Sequence, residues 1–255
     1  MTDHGIKSNR DLYEKELLDA WSDNFQDEPE APEKYILSKY LTDPAAPLLE
    51  AGAGGGRLSL YLARGGFSSV FGFDYVPEMA ARANKNARDL GLNASFECLD
   101  ATSLSTLTSG SFQYAVYLQQ VLSFLPRERV PDALREALRI LRPGGVAVFS
   151  ALNYGGRPVN RALGAALGML RFLRGEAARP QDFPWLKIGP AINWRLFEKG
   201  QPTVYLFRER EIVGLLEEAG FQVLESSAAS EVSGGTAFFR RGSLYIGARK
   251  PARPA

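Results

Sequence analysis

Short apolar segments alternate with longer amphipathic segments through the middle of this 255-residue chain. The apolar segments have the length of buried strands, and the amphipathic segments repeat apolar residues at helical spacing. Strands that alternate with helices are typical of βαβ units, in which helices cover both faces of a mostly parallel sheet. We therefore predict an α/β fold with a doubly wound sheet. The predicted strands are residues 48–51, 69–74, 94–101, 111–118 and 146–149, and the helices between them are residues 57–63, 76–90 and 128–141.

The same patterns divide the chain into four predicted parts. These are an N-terminal helical cap, the core, an inserted lid over the substrate site and a C-terminal return to the core, at residues 1–45, 46–152, 153–202 and 203–255. The lid is predicted because a doubly wound sheet needs only a short loop after its fifth strand. Outside the core we predict helices at 11–20 and 33–41, another beginning at Tyr205, and closing strands at 221–225 and 238–249.

The predicted lid is locally basic, although the whole chain has a net charge of only +1. Residues 157–199 contain eight lysines and arginines against three acids, and residues 158–174 have the pattern of a basic amphipathic helix. Three interpretations remain open. The segment is a solvated face packed on the core, a pocket for an aromatic or apolar, anionic substrate, or a site of peripheral contact with a membrane surface.

Composition narrows the chemistry that is expected. The near-zero net charge gives no reason to expect nucleic acid as a partner. Cys98 is the only cysteine and His4 the only histidine, so we expect no internal disulfide, no metal site and no imidazole-based nucleophile. Such cysteine usage fits a reducing compartment, and we expect a cytoplasmic protein. No run of about 18 apolar residues occurs, so we expect no transmembrane helix.

A glycine-rich turn follows the first predicted strand. Residues 48–56 read Leu-Leu-Glu-Ala-Gly-Ala-Gly-Gly-Gly, and a helix-like segment comes next. Strand, glycine turn and helix form the nucleotide-binding crossing of a doubly wound sheet, because the backbone turns tightly and the first helical N–H groups face the ligand. A dinucleotide site would have its third glycine where Arg57 stands. Here the glycines are Gly52, Gly54 and Gly56, and Glu50 stands two residues before the first of them.

The spacing acid-x-Gly-x-Gly-x-Gly resembles motif I of the class I S-adenosylmethionine (SAM)-dependent methyltransferases. The Pro-Glu-Met at 77–79, the Leu-Arg-Pro-Gly-Gly at 141–145 and the segment LLEEAGFQVLE at 215–225 are also similar to that family. The resemblance covers residues 46–148 well and residues 206–249 more loosely. It implies a Rossmann-like sheet of seven mostly parallel strands, SAM as the cofactor, and an enzyme that transfers a methyl group to a small molecule.

The resemblance also assigns residues to the parts of SAM. Acids stand at the ends of three successive predicted strands, where open α/β sheets bind ligands. The expected cofactor-binding residues are Glu50 and Gly52 at the amino-acid end, Gly54 and Gly56 close to it, Asp74 on the ribose, Asp100 and Ala101 on the adenine, and Tyr75, Met79 and Gln119 nearby, with Trp21 or Phe25 over the cofactor. A carboxylate at Asp74 would suit the ribose of NAD equally well, so this acid alone does not choose the cofactor.

The expected substrate site lies between the end of the fifth strand and the lid. Methyl transfer is an in-line displacement at a sulfonium that carries its own leaving group, so the protein mainly supplies proximity and alignment. The family usually has two histidines where this chain has Gln119 and Gln120, so an imidazole base is missing there. Tyr154 and Tyr205 are the catalytic candidates, for deprotonating or orienting the acceptor. The expected substrate-binding residues are Asn153, Tyr154, Trp185, Trp194 and Arg195.

Other functions are also compatible with the sequence. The binding motifs do not encode methyl transfer, so the enzyme could use SAM in another reaction, and the basic lid could serve a lipid or quinone-like acceptor at a membrane surface. An NAD-dependent oxidoreductase would share the ribose acid, although Arg57 and Glu50 argue against it. A non-catalytic SAM-fold subunit would keep the fold and act through a partner. Nucleic-acid methylation is disfavoured because no Asn-Pro-Pro-aromatic or Asp-Pro-Pro-aromatic motif follows Leu118.

Overall fold

The structure is a computed structural model that describes residues 23–175, 179–184, 203–233 and 242–252. The predicted helix at 11–20 and the residues Trp21, Trp185, Trp194 and Arg195 lie outside these ranges. The predicted roles of those four side chains therefore stay predictions.

The strands of the described residues build one large sheet and one small sheet. In chain order they are β1 (Leu48–Ala51), β2 (Val70–Asp74), β3 (Ala94–Cys98), β4 (Phe112–Tyr117), β5 (Leu141–Ala151), β6 (Asp182–Pro184), β7 (Thr203–Tyr205), β8 (Gln222–Ala228) and β9 (Leu244–Arg249). The large sheet has seven strands in the order β3-β2-β1-β4-β5-β9-β8. Strands β1 to β5 are parallel, and β9 is antiparallel to both β5 and β8. This confirms the predicted seven-stranded, doubly wound sheet with its antiparallel strand.

The helices begin and end largely where the sequence punctuation predicts. In chain order the α-helices are α1 (Ala31–Tyr40), α2 (Arg57–Arg64), α3 (Pro77–Asp89), α4 (Val121–Phe124), α5 (Val130–Ile140), α6 (Pro158–Leu173), α7 (Glu209–Glu218) and α8 (Ala229–Val232). Within the described residues, three short 3-10 helices span Asp23–Gln26, Arg127–Arg129 and Tyr154–Gly156. Helix α3 begins with proline at its first position, where the missing N–H costs nothing.

Neighbouring residues of each central strand enter different hydrophobic cores, because side chains alternate across a sheet. Leu48 faces a core that includes Ile36 of α1 and Leu58 of α2, whereas Leu49 faces a core formed with α5 and α7. Both leucines are fully buried. The sheet is therefore covered on both faces, which explains why its central strands read as continuous apolar segments.

Strand β5 is longer than the sequence pattern indicates. The sequence pattern predicts a helix that ends at residue 141 and a strand at 146–149, but β5 extends over Leu141–Ala151. Phe112 of β4 pairs with Leu141, and the register shifts before Tyr114 pairs with Val146. An irregularity in the ladder thus absorbs the glycines, and the strand continues through a segment whose local composition favours a turn.

The prediction of a helix beginning at Tyr205 is wrong. Tyr205 ends the short strand β7, which pairs antiparallel with β6 through Asp182–Tyr205, Phe183–Val204 and Pro184–Thr203. Helix α7 begins four residues later, after an extended N-cap at Arg208. The Thr-Val-Tyr sequence favours a strand once a partner is present, and local periodicity does not reveal that partner.

Helix α6 confirms the predicted helix at 158–174, but its apolar side is unevenly covered. Leu167 is only 2% exposed, whereas Phe172 and Leu173 are 72% and 74% exposed. No helix among the described residues is both long and apolar enough to span a membrane.

Candidate functional site

The glycine turn between β1 and α2 needs glycines for two separate reasons. Gly52, Gly54 and Gly56 have φ angles of +65°, +54° and +93°, which side chains with a Cβ rarely adopt. In addition, a Cβ on Gly52 would lie 2.7 Å from Cγ2 of Val121. The turn is thus packed against the segment after β4. Its glycines carry no side chains, so its backbone can contact a ligand directly at the carboxyl edge of the sheet.

Asp74, at the end of β2, is bound directly to this turn. Its Oδ2 accepts a hydrogen bond from the Gly54 N–H at 2.9 Å, and its Oδ1 accepts one from the Val76 N–H at 3.0 Å. Burial raises the pKa of the Asp74 carboxyl, and these backbone N–H groups oppose the rise. The Tyr75 N–H is a third backbone donor to this carboxylate, so about one of its four acceptor sites is left for a ligand hydroxyl.

Glu50, at the end region of β1, is 1% exposed and faces into the protein. Its Oε2 accepts hydrogen bonds from both the N–H (2.9 Å) and the hydroxyl of Ser59. Burial raises the pKa of Glu50 to about 7. Glu50 therefore joins β1 to the first turn of α2 and holds the two ends of the glycine turn together. Sequence reasoning missed Ser59, whose only signal is a hydroxyl in the first turn of the helix.

Arg57 occupies the position where a dinucleotide fingerprint has a glycine, and it forms a buried ion pair. Its Nη2 and Nη1 donate to Oε1 and Oε2 of Glu33 at 2.7 and 3.0 Å. Oε2 of Glu33 also accepts from the Glu30 N–H at 2.8 Å. The pair connects α1 to the first residue of α2, so α1 is held against the glycine turn. No pattern in the sequence predicts this contact.

Asp100 and Ala101 lie just beyond the end of β3. Oδ1 of Asp100 accepts from the N–H and the hydroxyl of Thr102, both at 2.8 Å, and Ala101 is buried. Since β3 neighbours β2 and β2 neighbours β1, the three predicted acids end on three adjacent strands. Asp74 and Asp100 lie partly exposed at the carboxyl edge of the sheet, whereas the Glu50 side chain is buried in the protein.

The other predicted cofactor residues lie in different surroundings. Tyr75 is 36% exposed at the end of β2, and Met79 is 1% exposed in the first turn of α3. Phe25 packs against the small core that contains Leu60 and Phe96, beside α2. Of these side chains, only that of Tyr75 is exposed at the sheet edge.

Gln119 and Gln120 follow β4 in an uncommon backbone conformation. Their φ angles are +59° and +62°, which costs non-glycine residues about 1–2 kcal/mol each. The Gln120 N–H donates to Oγ of Ser150 at 2.9 Å, and its Nε2 donates to Oγ of Ser243 at 3.2 Å. These contacts hold the chain in this turn and aim α4 at the glycine turn.

A cavity of about 650 Å³ lies beyond the carboxyl end of β5. Asn153 and Tyr154, both predicted to bind substrate, line it together with Arg161, Arg208 and Arg210. The Asn153 side chain already accepts a hydrogen bond from the Gly155 N–H at 2.9 Å. Sequence reasoning named the first two residues and missed the three arginines, which come from different helices.

The two predicted catalytic tyrosines lie in different cores. The Tyr154 ring packs edge-on against Phe183 with centroids 6.3 Å apart, and the Arg208 guanidinium lies 5.5 Å from the Tyr154 ring centroid. Tyr205 belongs to the core under α5 and α7, and its hydroxyl donates to Oε1 of Glu211 at 2.8 Å. Burial and this hydrogen bond raise the pKa of Tyr205. This environment favours a structural role for Tyr205.

The described residues contain no cluster of three His, Cys, Asp or Glu side chains that could hold a metal ion.

Comparisons with known proteins agree with this geometry. Residues 48–145 match a family model described as a methyltransferase domain. A ubiquinone biosynthesis O-methyltransferase from Xanthomonas campestris pv. campestris is 33% identical over 113 residues, which cover 43% of this chain and 44% of that protein. A SAM-dependent Diels-Alderase, iccD, from Talaromyces variabilis is 28% identical over 203 residues, which cover 76% of this chain and 60% of that protein. A solved SAM-dependent methyltransferase from Methanosarcina mazei has a TM-score of 0.65 at 23% identity, over 86% of this chain and 98% of that one.

The match to each of these two curated relatives spans less than two thirds of the relative's length. The likeness to the solved structure establishes the fold. The family match runs from β1 into β5 and includes the glycine turn and the strand ends at Asp74 and Asp100. By this match residues 48–145 are a methyltransferase domain, and the sheet order is that of the Rossmann-like class I methyltransferase fold.

Proposed function

We propose that this protein is an enzyme that uses SAM to methylate a small acceptor with an apolar or aromatic body. The observation that carries the proposal is the hydrogen bond between Asp74 Oδ2 and the Gly54 N–H at 2.9 Å. It joins the strand-end acid to the bare backbone of the glycine turn, so a ribose and an amino-acid moiety have adjacent binding groups. The family match supports the choice of SAM over NAD.

The residues present fit SAM at this edge of the sheet. Asp74 would accept a ribose hydroxyl at its remaining acceptor site, and Gly52 and Gly54 would let the amino-acid end lie on the backbone. Asp100 and the Ala101 N–H would face the adenine. Bound SAM would supply a methyl group activated by its sulfonium leaving group.

The chain's own residues would contribute alignment rather than proton transfer. Tyr154 is 6% exposed and Tyr205 is bound to Glu211, so neither offers an accessible base. The single histidine, His4, lies outside the described residues. We infer that the acceptor is acidic enough to ionise alone, or that it is methylated on nitrogen or carbon. Asn153 and Tyr154 would position it beside β5.

The first experiment removes the ribose acid. Asp74→Ala is expected to weaken SAM binding by about 1–3 kcal/mol, because a charge-assisted hydrogen bond to the ribose is lost. Isothermal calorimetry with purified wild-type and variant protein measures this change. Asp89→Ala is the matched control, since Asp89 is an exposed acid of α3 that pairs with Lys85 across one helical turn. Equal SAM affinity in Asp74→Ala and wild type would refute the ribose assignment.

The second experiment tests the reaction. Incubation with SAM and a panel of small acceptors should release S-adenosylhomocysteine in proportion to methylated product. A sulfur-containing product of another kind would exclude methyl transfer.

A SAM-dependent reaction without methyl transfer is the second candidate. The match to the Diels-Alderase covers 203 residues, which extends well beyond the methyltransferase domain at 48–145. The absence of an accessible tyrosine base at Tyr154 and Tyr205 also suits a reaction that moves no proton. In that case a substrate would be converted while the amount of SAM stays constant, which chromatography of both compounds would detect.

A further inference from the structure

The cavity beyond β5 is placed by a short pairing between two loops. The Phe207 N–H donates to the Leu152 carbonyl at 2.8 Å, and the Tyr154 N–H donates to the Phe207 carbonyl at 2.9 Å. This pairing brings the first turn of α7 beside the carboxyl end of β5. Since β4 alone separates β5 from β1, these two strands lie about 10 Å apart, by the usual strand spacing.

The walls of this cavity are basic. Arg161 comes from α6, while Arg208 and Arg210 come from the start of α7. Glu209 is the acid among the described lining residues, and its Oε1 accepts a hydrogen bond from the Ser226 hydroxyl at 2.9 Å. Three guanidinium groups around one cavity repel each other, and a bound anion would remove that cost.

Arg208 packs against an aromatic ring, and the N-terminus of helix α7 adds to the positive potential near it. The Arg208 guanidinium lies 5.5 Å from the Tyr154 ring centroid, a distance typical of cation–π contact. Arg208 is the extended N-cap of the ten-residue helix α7, whose N-terminus also favours negative charge. Guanidinium groups match the oxygen pairs of carboxylates and phosphates, and the Tyr154 ring supplies an apolar wall.

We propose that the cavity binds an oxyanion, carboxylate or phosphate, carried by the methyl acceptor, through Arg161, Arg208 and Arg210. This proposal rests on the proposed function and adds the substrate class to it. The acceptor has an apolar body at Asn153 and Tyr154 and an anionic group at the start of α7. Its reacting atom points along the sheet edge toward the glycine turn.

The direct test uses inorganic phosphate and benzoate as probes, with benzamide as the uncharged match of benzoate. Calorimetry on the full chain, at constant ionic strength with chloride, compares wild type with the double variant Arg161→Gln, Arg208→Gln. At least one anion should bind wild type and bind the double variant at least about tenfold more weakly, because charge-assisted hydrogen bonds are lost. The stronger probe identifies the source as phosphate or carboxylate.

The matched control is Arg142→Gln. Arg142 is exposed near the amino end of β5, at the opposite edge of the sheet from the cavity. This variant should bind both anions as wild type does. If neither anion binds wild type, if benzamide binds as well as benzoate while phosphate does not bind, or if the double variant keeps its anion affinity, the inference is overturned.

Measuring SAM affinity in the same proteins separates this inference from the proposed function. The double variant should keep wild-type SAM affinity, because its arginines lie beyond β5. It should also raise KM for acidic acceptors more than it lowers kcat. Anion binding without any SAM binding would reject the proposed function and support the anion site. SAM-dependent methylation without anion binding would support the proposed function and reject the anion site.

Discussion

At the scale of single residues, Glu50 shows how a functional motif also serves the fold. Glu50 is 1% exposed, and its carboxyl accepts a hydrogen bond from the Ser59 N–H. The motif acid thus stabilises the start of α2, directly after the glycine turn. Burial raises its pKa to about 7 because water no longer solvates the charged form. The Ser59 hydrogen bonds oppose this rise and do not cancel it. The folded protein therefore binds a proton here more tightly than the unfolded chain does.

This linkage predicts a specific pH dependence of stability. The raised pKa contributes stability that is present below the ordinary glutamate range and is lost as pH rises to about 7. Relative to Glu50→Gln, wild type should lose up to about 3 kcal/mol of unfolding free energy between pH 5 and pH 8. Urea denaturation of both proteins across that range measures the difference. Parallel stability curves would show that Glu50 does not titrate in this way.

At the scale of elements, a buried ion pair holds helix α1 against the glycine turn. The Arg57–Glu33 pair joins α2 to α1, and side-chain exposures of 11% and 6% leave it largely dehydrated. On its far side, α1 is held to β8 by Glu225, which accepts from the hydroxyls of Tyr35 and Tyr40. Helix α1 thus connects the glycine turn to the opposite half of the sheet.

Breaking the buried pair should therefore affect both stability and SAM binding. Glu33→Gln leaves a buried arginine without its counter-charge, which typically costs about 3–5 kcal/mol. SAM affinity should fall as well, because α2 loses an anchor next to Gly56. Urea denaturation and calorimetry measure the two effects. Lys85→Ala breaks the exposed Lys85–Asp89 pair and should leave both nearly unchanged. An equally small effect from Glu33→Gln would contradict the assigned role.

At the scale of the whole molecule, the sheet order places two binding regions along one edge. The ends of β3, β2 and β1 carry the predicted SAM residues, and the end of β5 carries the basic cavity. Strand β4 lies between them, and its exit through Gln119 and Gln120 packs against Gly52 through Val121. Cofactor and acceptor would therefore meet above β4, although their binding groups lie far apart along the chain.

Because ligand binding stabilises the folded state, SAM should stabilise the entire molecule. At about a hundred times its Kd, SAM should add about 2.7 kcal/mol to the unfolding free energy and raise Tm by roughly 5–10 °C. Differential scanning calorimetry with SAM and, separately, with NADH measures both shifts. NADH should have no effect. A Tm rise with NADH and none with SAM would favour the oxidoreductase alternative.

The sequence by itself determined the local architecture, and it predicted where along the sheet the glycine turn and the strand-end acids lie. Glycines at Gly52, Gly54 and Gly56 and acids at strand ends are readable because backbone conformation and strand polarity depend on neighbouring residues. The sequence does not show the bounds of a strand, or whether a segment is a strand at all, where these depend on pairing with a distant strand. Thr203–Tyr205 became a strand only because Asp182–Pro184 lies beside it, and β5 continued through glycines only because β4 supplied a partner.

Only the tertiary structure decided which side chains meet. Ser59 reaches Glu50, Glu33 reaches Arg57, and arginines of two helices surround one cavity, because folding joins segments that no sequence period relates. In the core, Gly72 is required by a distant residue, since a Cβ there would lie 2.5 Å from the Phe96 ring. A chain pattern specifies secondary structure and strand ends, whereas contacts between distant residues follow from how the elements pack.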